Sequence, residues 1–356
     1  MDMGDRGEDN ASGLIPVTVL TGFLGSGKTT FLNKLIERSA LPKTLVIINE
    51  FGETGLDKDL LIEDEDNIIV QMEDGCVCCS IKDTLVNTLL TACQRFHEFG
   101  QIKFDSVLIE TTGLADPVPI INTLILSPAL NDYFRLGQVI TTIDAVNGRE
   151  TLRRHPESFK QAAVADKLLI TKKDIVAKTE LEALAEQLKI LNPAAPQIFA
   201  NTQQNAIETS LFGSCFTESA KCDTVLEWLN ADSYQVSYVA PTNNAHGKHR
   251  SSINRHDDNI KSFCITLEKP FKPGIIDLWI KVLLLFQGPD LLRMKGIVNV
   301  ADQRGPIVIH AVQHIFHPMV ILETWPSSDH RTRITFITRN LDEASIRCSL
   351  MDLLND

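Results

Sequence analysis

Val17-Thr18-Val19-Leu20-Thr21-Gly22-Phe23-Leu24-Gly25-Ser26-Gly27-Lys28-Thr29-Thr30 is the stretch that decides the fold of this chain. Val17 to Leu20 is a short apolar run of the kind buried as a strand, and Lys28 to Ala40 reads as a helix with Phe31, Leu32, Leu35 and Ile36 on one face. Between them, Gly22 to Thr29 fits G-x-x-x-x-G-K-S/T at every fixed position, in the strand-loop-helix context the pattern requires. Backbone N–H groups converge on a polyphosphate only where side chains are absent and unusual dihedrals are open, and Gly25 and Gly27 meet that need. Gly22 and Ser26 belong to the same expected nucleotide loop. Lys28 is placed to neutralise the β- and γ-phosphates and the Thr29 hydroxyl to ligate Mg²⁺. The amides of Thr29 and Thr30 open a helix whose N-terminus favours anions. A glycine turn that binds nothing has no packing reason to be followed by a Lys-Thr pair.

Downstream, the apolar run Val107-Leu108-Ile109 leads into Glu110-Thr111-Thr112-Gly113. P-loop proteins keep the acidic partner of the Mg²⁺ shell and an amide for the γ-phosphate at such a strand tip, although the same residues also suit a capped strand-to-helix turn. Lys28, Glu110 and Gly113 are therefore the candidate catalytic residues. Thr171-Lys172-Lys173-Asp174 follows Leu168-Leu169-Ile170 and fits N/T-K-x-D. Asp174 would accept two hydrogen bonds from the guanine N1–H and 2-amino groups, which adenine does not offer in that arrangement, while the Lys172 stem lies over the ring. GTP is expected over ATP.

Around these motifs, strand-like runs at Leu45 to Ile48, Ile68 to Met72, Ser106 to Ile109, Val139 to Ile143, Lys167 to Ile170 and Gln197 to Ala200 alternate with helical patterns. This predicts an α/β P-loop fold, a mostly parallel sheet with helices on both faces. The chain has 356 residues, 44% of them hydrophobic and 22% charged, enough for two cores. Residues 1–13 are polar and acidic and read as a disordered N-terminus, followed by a GTPase domain over 14–231. Residues 232–259, rich in Ser, Asn, His and charge, read as a linker, and a small α+β domain fills 260–356. Its expected elements are strands Ser262 to Leu267, Gly296 to Val300, Ile307 to Val312 and Thr332 to Ile337, with helices Ile275 to Phe286 and Asp342 to Leu354. The net charge of −12 and the lack of a basic stripe argue against nucleic acid as a partner. No apolar run approaches a membrane span and the N-terminus is no signal peptide, so a cytoplasmic location is expected.

The second chemistry lies in Gly75-Cys76-Val77-Cys78-Cys79. Cys76, Cys78 and Cys79 offer soft ligands suited to Zn²⁺, or to Co²⁺ or Cu(I), and the missing fourth ligand suits transfer by ligand exchange. A structural zinc completed by a distant residue, a redox thiol pair and cysteines without special role are the competing readings. Cys93, Cys215, Cys222, Cys264 and Cys348 are scattered and read as ordinary core or surface residues. His310, His314 and His317 read as surface or interface histidines, with metal ligation by the trio as the lesser alternative, and Trp279 and Trp325 as core.

Taken with Asn49-Glu50-Phe51-Gly52-Glu53 and Glu110-Thr111-Thr112-Gly113-Leu114-Ala115-Asp116-Pro117, these motifs resemble the CobW-like P-loop GTPases, relatives of the GTPases that mature urease and hydrogenase. The likeness covers nearly the whole chain, with Lys295 to Arg333 similar to the family's C-terminal domain. The resemblance implies a GTP-hydrolysing metallochaperone that uses GTP and Mg²⁺. Cys76, Cys78 and Cys79 would carry Zn²⁺ or Co²⁺ to a client metalloenzyme, with Asn49 to Asp57, including Glu50 and Glu53, as the first switch. A regulatory GTP-binding metal sensor or store, and a P-loop phosphotransferase or ATPase with a structural zinc, are the alternatives. No residue stands out as an arginine finger, which leaves slow intrinsic turnover and a client or homodimer partner as the source of one. Two departures stand out. The linker has only His246, His249 and His256 where many members carry a long His run, and Leu14-Ile15-Pro16-Val17 lacks the Cys-Pro docking motif of zinc-specific eukaryotic relatives.

Overall fold

The computed structural model describes residues 14–38, 40–41, 43–48, 62–63, 67–71, 81–98, 101–200, 222–237 and 260–355. These gather into two compact units. One comprises the described residues of Met1–Val146, Ala165–Val176 and Gln197–Ala220, the other those of Asn147–Val164, Ala177–Pro196 and Lys221–Asp356.

The first unit is built on strands β1 (Ile15–Gly22), β2 (Thr44–Ile48), β3 (Ile62–Glu63) and β4 (Asn67–Gln71), then a two-stranded ribbon, β5 (His97–Glu98) and β6 (Gln101–Ile102). It continues with β7 (Ser106–Glu110), β8 (Phe134–Asp144), β9 (Lys167–Thr171) and β10 (Gln197–Phe199). The main sheet runs β10-β9-β8-β1-β7-β2-β4-β3, parallel throughout except for β3 on β4. Helices α1 (Lys28–Glu37), α2 (Ile81–Arg95), α3 (Val118–Leu126) and α4 (Pro128–Asn131) belong to the same unit. Phe31, Leu32 and Leu35 of α1 pack with Leu20, Val46, Leu108, Ile140 and Leu169 of four adjoining strands and their neighbour β9, so the helix that follows the phosphate loop is fixed to the sheet by apolar burial. The helix ends at Glu37, short of the expected Ala40, and the Ala40 N–H closes the turn on Leu35 O.

The second unit contains α5 (Gly148–Arg154), α6 (Pro156–Ala163), α7 (Lys178–Leu191) and α8 (Cys222–Leu229). To these it adds β11 (Ile260–Leu267), α9 (Ile275–Gln287), β12 (Leu291–Val298), β13 (Ile307–Val312), β14 (Ile315–Phe316), β15 (Val320–Ile321), β16 (Thr332–Arg339) and α10 (Glu343–Asn355). Its antiparallel sheet has the order β11-β16-β12-β13-β14, with β15 also on β13. One face is apolar: Phe263, Ile265, Met294, Ile309, Ile334 and Phe336 pack against Trp279 and Ile280 of α9 and Ile346 and Leu350 of α10. The Trp279 indole donates to Ser349 Oγ at 3.0 Å, joining the two helices.

The opposite face carries polar groups, buried at Arg293, Lys295 and Thr335 and half-buried at Cys264 and His310. The register places Cys264, Thr335, Lys295 and His310 in one row across β11, β16, β12 and β13, and the His317 N–H donates to His310 O at its end. The His310 and His317 rings stack at 4.0 Å, Trp228 of α8 meets the His310 ring edge-on, and the Lys295 ammonium lies 4.7 Å from the Trp228 ring centre while donating to Trp228 O. One residue pair along, Arg293 donates to Val164 O at the end of α6, and Ser262 Oγ donates to Ile190 O near the end of α7. A cation at a helix C-terminus satisfies a free carbonyl and opposes the negative end of the dipole. His310 is thus an interface residue.

The expected linker begins too early. Ala231–Ser237 forms a 3₁₀-helix whose Tyr234 is only 4% exposed, and burial pushes that phenol up to about 12. One large aromatic outweighs the polar composition around it. Residues 238–259, with His246, His249 and His256, lie outside the described residues, as do 1–13. Trp279 is core, as expected, whereas Trp325 is only half-buried and stacks on His330 at 4.6 Å.

Candidate nucleotide-binding site

The phosphate loop leaves the central strand of a parallel sheet, so its neighbours are the carboxyl ends of β7 on one side and of β8 and then β9 on the other. Ligands of open α/β sheets bind at this edge. Three loop glycines have positive φ, +144° at Gly22, +69° at Gly25 and +92° at Gly27. Gly22 is also closely enclosed: a Cβ there would come within 2.2 Å of Thr142 Oγ1 and 2.6 Å of Thr142 O. Gly27 immediately precedes α1, turning the first free amides of the helix into the loop.

Lys28 is buried, and its ammonium donates to Gly22 O at 2.9 Å and Phe23 O at 3.2 Å, which curls the loop around the charge. Ser26 is held by its hydroxyl on Thr142 Oγ1 at 2.6 Å, and its carbonyl accepts from Thr171 Oγ1 at 2.7 Å. Beneath them Thr111 donates to Thr21 Oγ1 at 2.9 Å. A buried layer of threonines from β1, β8, β9 and the turn after β7 therefore fixes the loop.

From β7, Glu110 is buried and accepts the Thr29 hydroxyl at 2.6 Å. A hydroxyl and a carboxylate brought together at the start of α1 are two hard oxygen donors, the set that Mg²⁺ takes together with phosphate oxygens and water, so these residues fit that ion. Gly113 backs directly onto the phosphate loop, where a Cβ would lie 2.7 Å from Leu24 N. Only glycine brings the 113 backbone this close.

After β9, Lys172 adopts a left-handed conformation, φ +56°, and Lys173–Ile175 forms a 3₁₀ turn that leaves Asp174 exposed. Lys172 Nζ donates to Gly25 O at 2.7 Å and to Asp144 Oδ2 at 2.8 Å. The structure thus brings Gly22 to Thr30, Glu110, Gly113, Thr171 and Lys172 together. It adds Asp144, Thr142 and Thr21, which had no motif to mark them. Asp144 alone had a readable signal, a carboxylate ending an apolar run of the sheet.

Asn49, Glu50, Glu53 and the thiols Cys76, Cys78 and Cys79 lie outside the described residues. Among the described residues no group of three or more His, Cys, Asp or Glu side chains could hold a metal ion. Burial pushes the Cys93 and Cys264 thiols up to about 11, which keeps them protonated and poor ligands, in line with their reading as ordinary residues. Among the described residues no helix is long and apolar enough to cross a membrane.

The loop, the Thr29–Glu110 pair and the parallel sheet define a P-loop nucleotide-binding domain. Residues 16–199 match the model of the CobW/HypB/UreG nucleotide-binding domain and residues 260–354 that of the cobalamin synthesis protein cobW C-terminal domain, and the chain belongs to this family. It is 30% identical over 339 residues to the zinc chaperone YjiA of Escherichia coli, covering 95% of this chain and 98% of that protein. With the zinc-regulated GTPase metalloprotein activator 1 of Schizosaccharomyces pombe it shares 27% identity over 351 residues, 93% of this chain and 84% of the relative. The crystal structure of Zn(II)-bound YjiA GTPase from E. coli superposes with a TM-score of 0.68 at 27% identity, covering 96% of this chain and 99% of that one.

Proposed function

We propose that this GTPase is a zinc metallochaperone that takes Zn²⁺ as cargo on Cys76, Cys78 and Cys79 and yields it to a client metalloenzyme under control of the nucleotide. The observation that carries this reading is the thiol trio of Gly75–Cys79 in a chain that is similar over nearly its whole length to proteins named as zinc chaperones. Co²⁺ suits the same thiolates. Lys28 and the amides from Gly25 to Thr30 receive the phosphates, the Gly113 amide meets the γ-phosphate, and Asp174 and Lys172 select guanine. Thr29 and Glu110 would hold Mg²⁺, which supplies neutralisation of charge on the β- and γ-phosphates. Asn49 to Asp57, with Glu50 and Glu53, acts as the switch that couples the γ-phosphate to Cys76, Cys78 and Cys79. Turnover is slow until a client or a second copy of the chain supplies a further cation.

Coupling is the test. Zinc is titrated into the protein in the GTP-analogue and GDP states, with at least about tenfold tighter binding expected for the former, or roughly 1.4 kcal/mol. Reciprocity requires zinc to favour GTP over GDP by the same factor, and Cys78→Ser with Cys79→Ser should remove the site. Equal zinc affinity in the two states would leave a GTPase that merely contains a zinc site, and the chaperone mechanism would be abandoned.

A further inference from the structure

We propose that Asp144 is a positioning residue for base recognition: its carboxylate holds the Lys172 ammonium, and through it the loop Lys172–Asp174, in the geometry that grips guanine. The proposal rests on the assignment of Thr171–Asp174 to the base, made above.

Asp144 is the last residue of β8 and lies opposite Thr171, the last residue of β9. Its two oxygens serve different loops. Oδ2 accepts from Lys172 Nζ at 2.8 Å, and Oδ1 accepts the Val146 N–H at 2.8 Å. The same ammonium donates to Gly25 O in the phosphate loop, and Thr171 donates to both Ser26 O and Ile143 O. A non-glycine residue held at φ +56° is disfavoured and persists only where its surroundings fix it. Here both ends of Lys172 are fixed, the backbone by the turn that the Ile175 N–H closes on Lys172 O and the ammonium by Asp144 and Gly25.

A lysine stem drawn back along the loop offers its methylenes as a flat apolar surface, whereas a lysine free at its tip samples many rotamers. The two loops joined through Asp144 also carry exposed apolar side chains, Val146 at 46% and Ile175 at 69%, available to a planar base. Asp144 does not touch the nucleotide. Its effect belongs to nucleotide affinity and to the KM for GTP, since the base is distant from the bond that breaks.

The experiment uses the full chain and methylanthraniloyl derivatives of GDP and ADP. Asp144→Ala should weaken GDP binding about tenfold and change ADP binding less than about twofold. The KM for GTP should rise in parallel while kcat at saturation stays within about threefold. Asp144→Asn, which keeps the shape and loses the charge, should give a smaller loss in the same direction, and melting curves identify the folded variants. In a Lys172→Ala background Asp144→Ala should add less than about twofold, because Asp144 acts through that ammonium. Unchanged GDP affinity in both folded Asp144 variants, or a full tenfold loss persisting without Lys172, overturns the proposal. If wild-type protein binds ADP as well as GDP and Asp174→Asn alters neither, the guanine assignment itself fails and the role of Asp144 falls with it. If Asp174→Asn abolishes discrimination and Asp144→Ala leaves it intact, only the role of Asp144 fails.

Discussion

The Thr29 hydroxyl donates to Glu110 Oε1 across 2.6 Å, tying the first turn of α1 to the tip of β7 over eighty-one residues of sequence. Each group orients the other. Thr29→Val removes the donor while keeping the shape. Hydrolysis should fall on the order of a hundredfold and the Mg²⁺ concentration for half-maximal rate should rise, with GDP affinity in chelator unchanged. Phosphate release measured across a Mg²⁺ series checks this, and an unaltered Mg²⁺ dependence would remove Thr29 from the ion's shell.

The loop glycines should separate by surroundings. Gly22→Ala meets Thr142 at 2.2 Å in addition to its positive φ, whereas Gly25→Ala has nothing within 4 Å and only its φ of +69° to oppose it. Urea denaturation should show a loss of about 2–4 kcal/mol for the first and about 1 kcal/mol for the second. Gly113→Ala, pressing on the Leu24 backbone, should leave stability closer to wild type than Gly22→Ala but lower kcat.

Arg293 tests the buried polar face of the C-terminal sheet. Arg293→Met deletes the donor to Val164 O and the cation at the end of α6, and should cost about 2–4 kcal/mol in urea denaturation. Arg153→Ala breaks an exposed pair with Glu150 and should stay within about 0.5 kcal/mol.

His310 predicts the acid limb of stability. Burial, then His317, Arg293 and Lys295, hold its pKa well below the usual 6.5 in the folded chain. Once the pH drops below about 6.5 the unfolded state binds the proton and the folded state does not. Stability contributed by the neutral imidazole is therefore complete above that pH and is lost as pH falls toward the folded pKa, by at most about 1.4 kcal/mol per pH unit. Urea midpoints measured from pH 7 to pH 5 should fall less steeply in His310→Gln. Asp329, held at about 2 by its bonds with Arg331, loses its contribution only below the ordinary carboxylate range and does not overlap this window.

Strands were legible where apolar runs were long enough to be buried on both faces. Thr44–Ile48, Ser106–Glu110 and Lys167–Thr171 extend the expected runs by a residue or two at most. The strand-loop-helix setting of Gly22 to Thr29 was legible because the motif has a fixed spacing between β1 and α1. The C-terminal sheet was harder to place. The strand expected at Gly296 to Val300 is β12, Leu291–Val298, where Arg293 and Lys295 alternate with apolar residues and every residue is buried. Alternation records only which side chains need polar partners, and here Val164 O, Trp228 O and the Trp228 ring supply them in place of water. Asp144 went unmarked for a related reason, since the residue it serves is distant in sequence and adjacent only through strand register.

The position of β1 between β7 and β8 bears on how the chain is made. Ile15–Gly22 leaves the ribosome before either of its partners, since both of its hydrogen-bonding edges belong to strands synthesised roughly ninety or more residues later. At about 5–20 residues per second, this apolar strand waits on the order of ten seconds without a partner, exposed to aggregation and to holding chaperones. A polypeptide ending before Phe134 contains every residue of the phosphate loop and lacks the strand against which Gly22 and Ser26 are held.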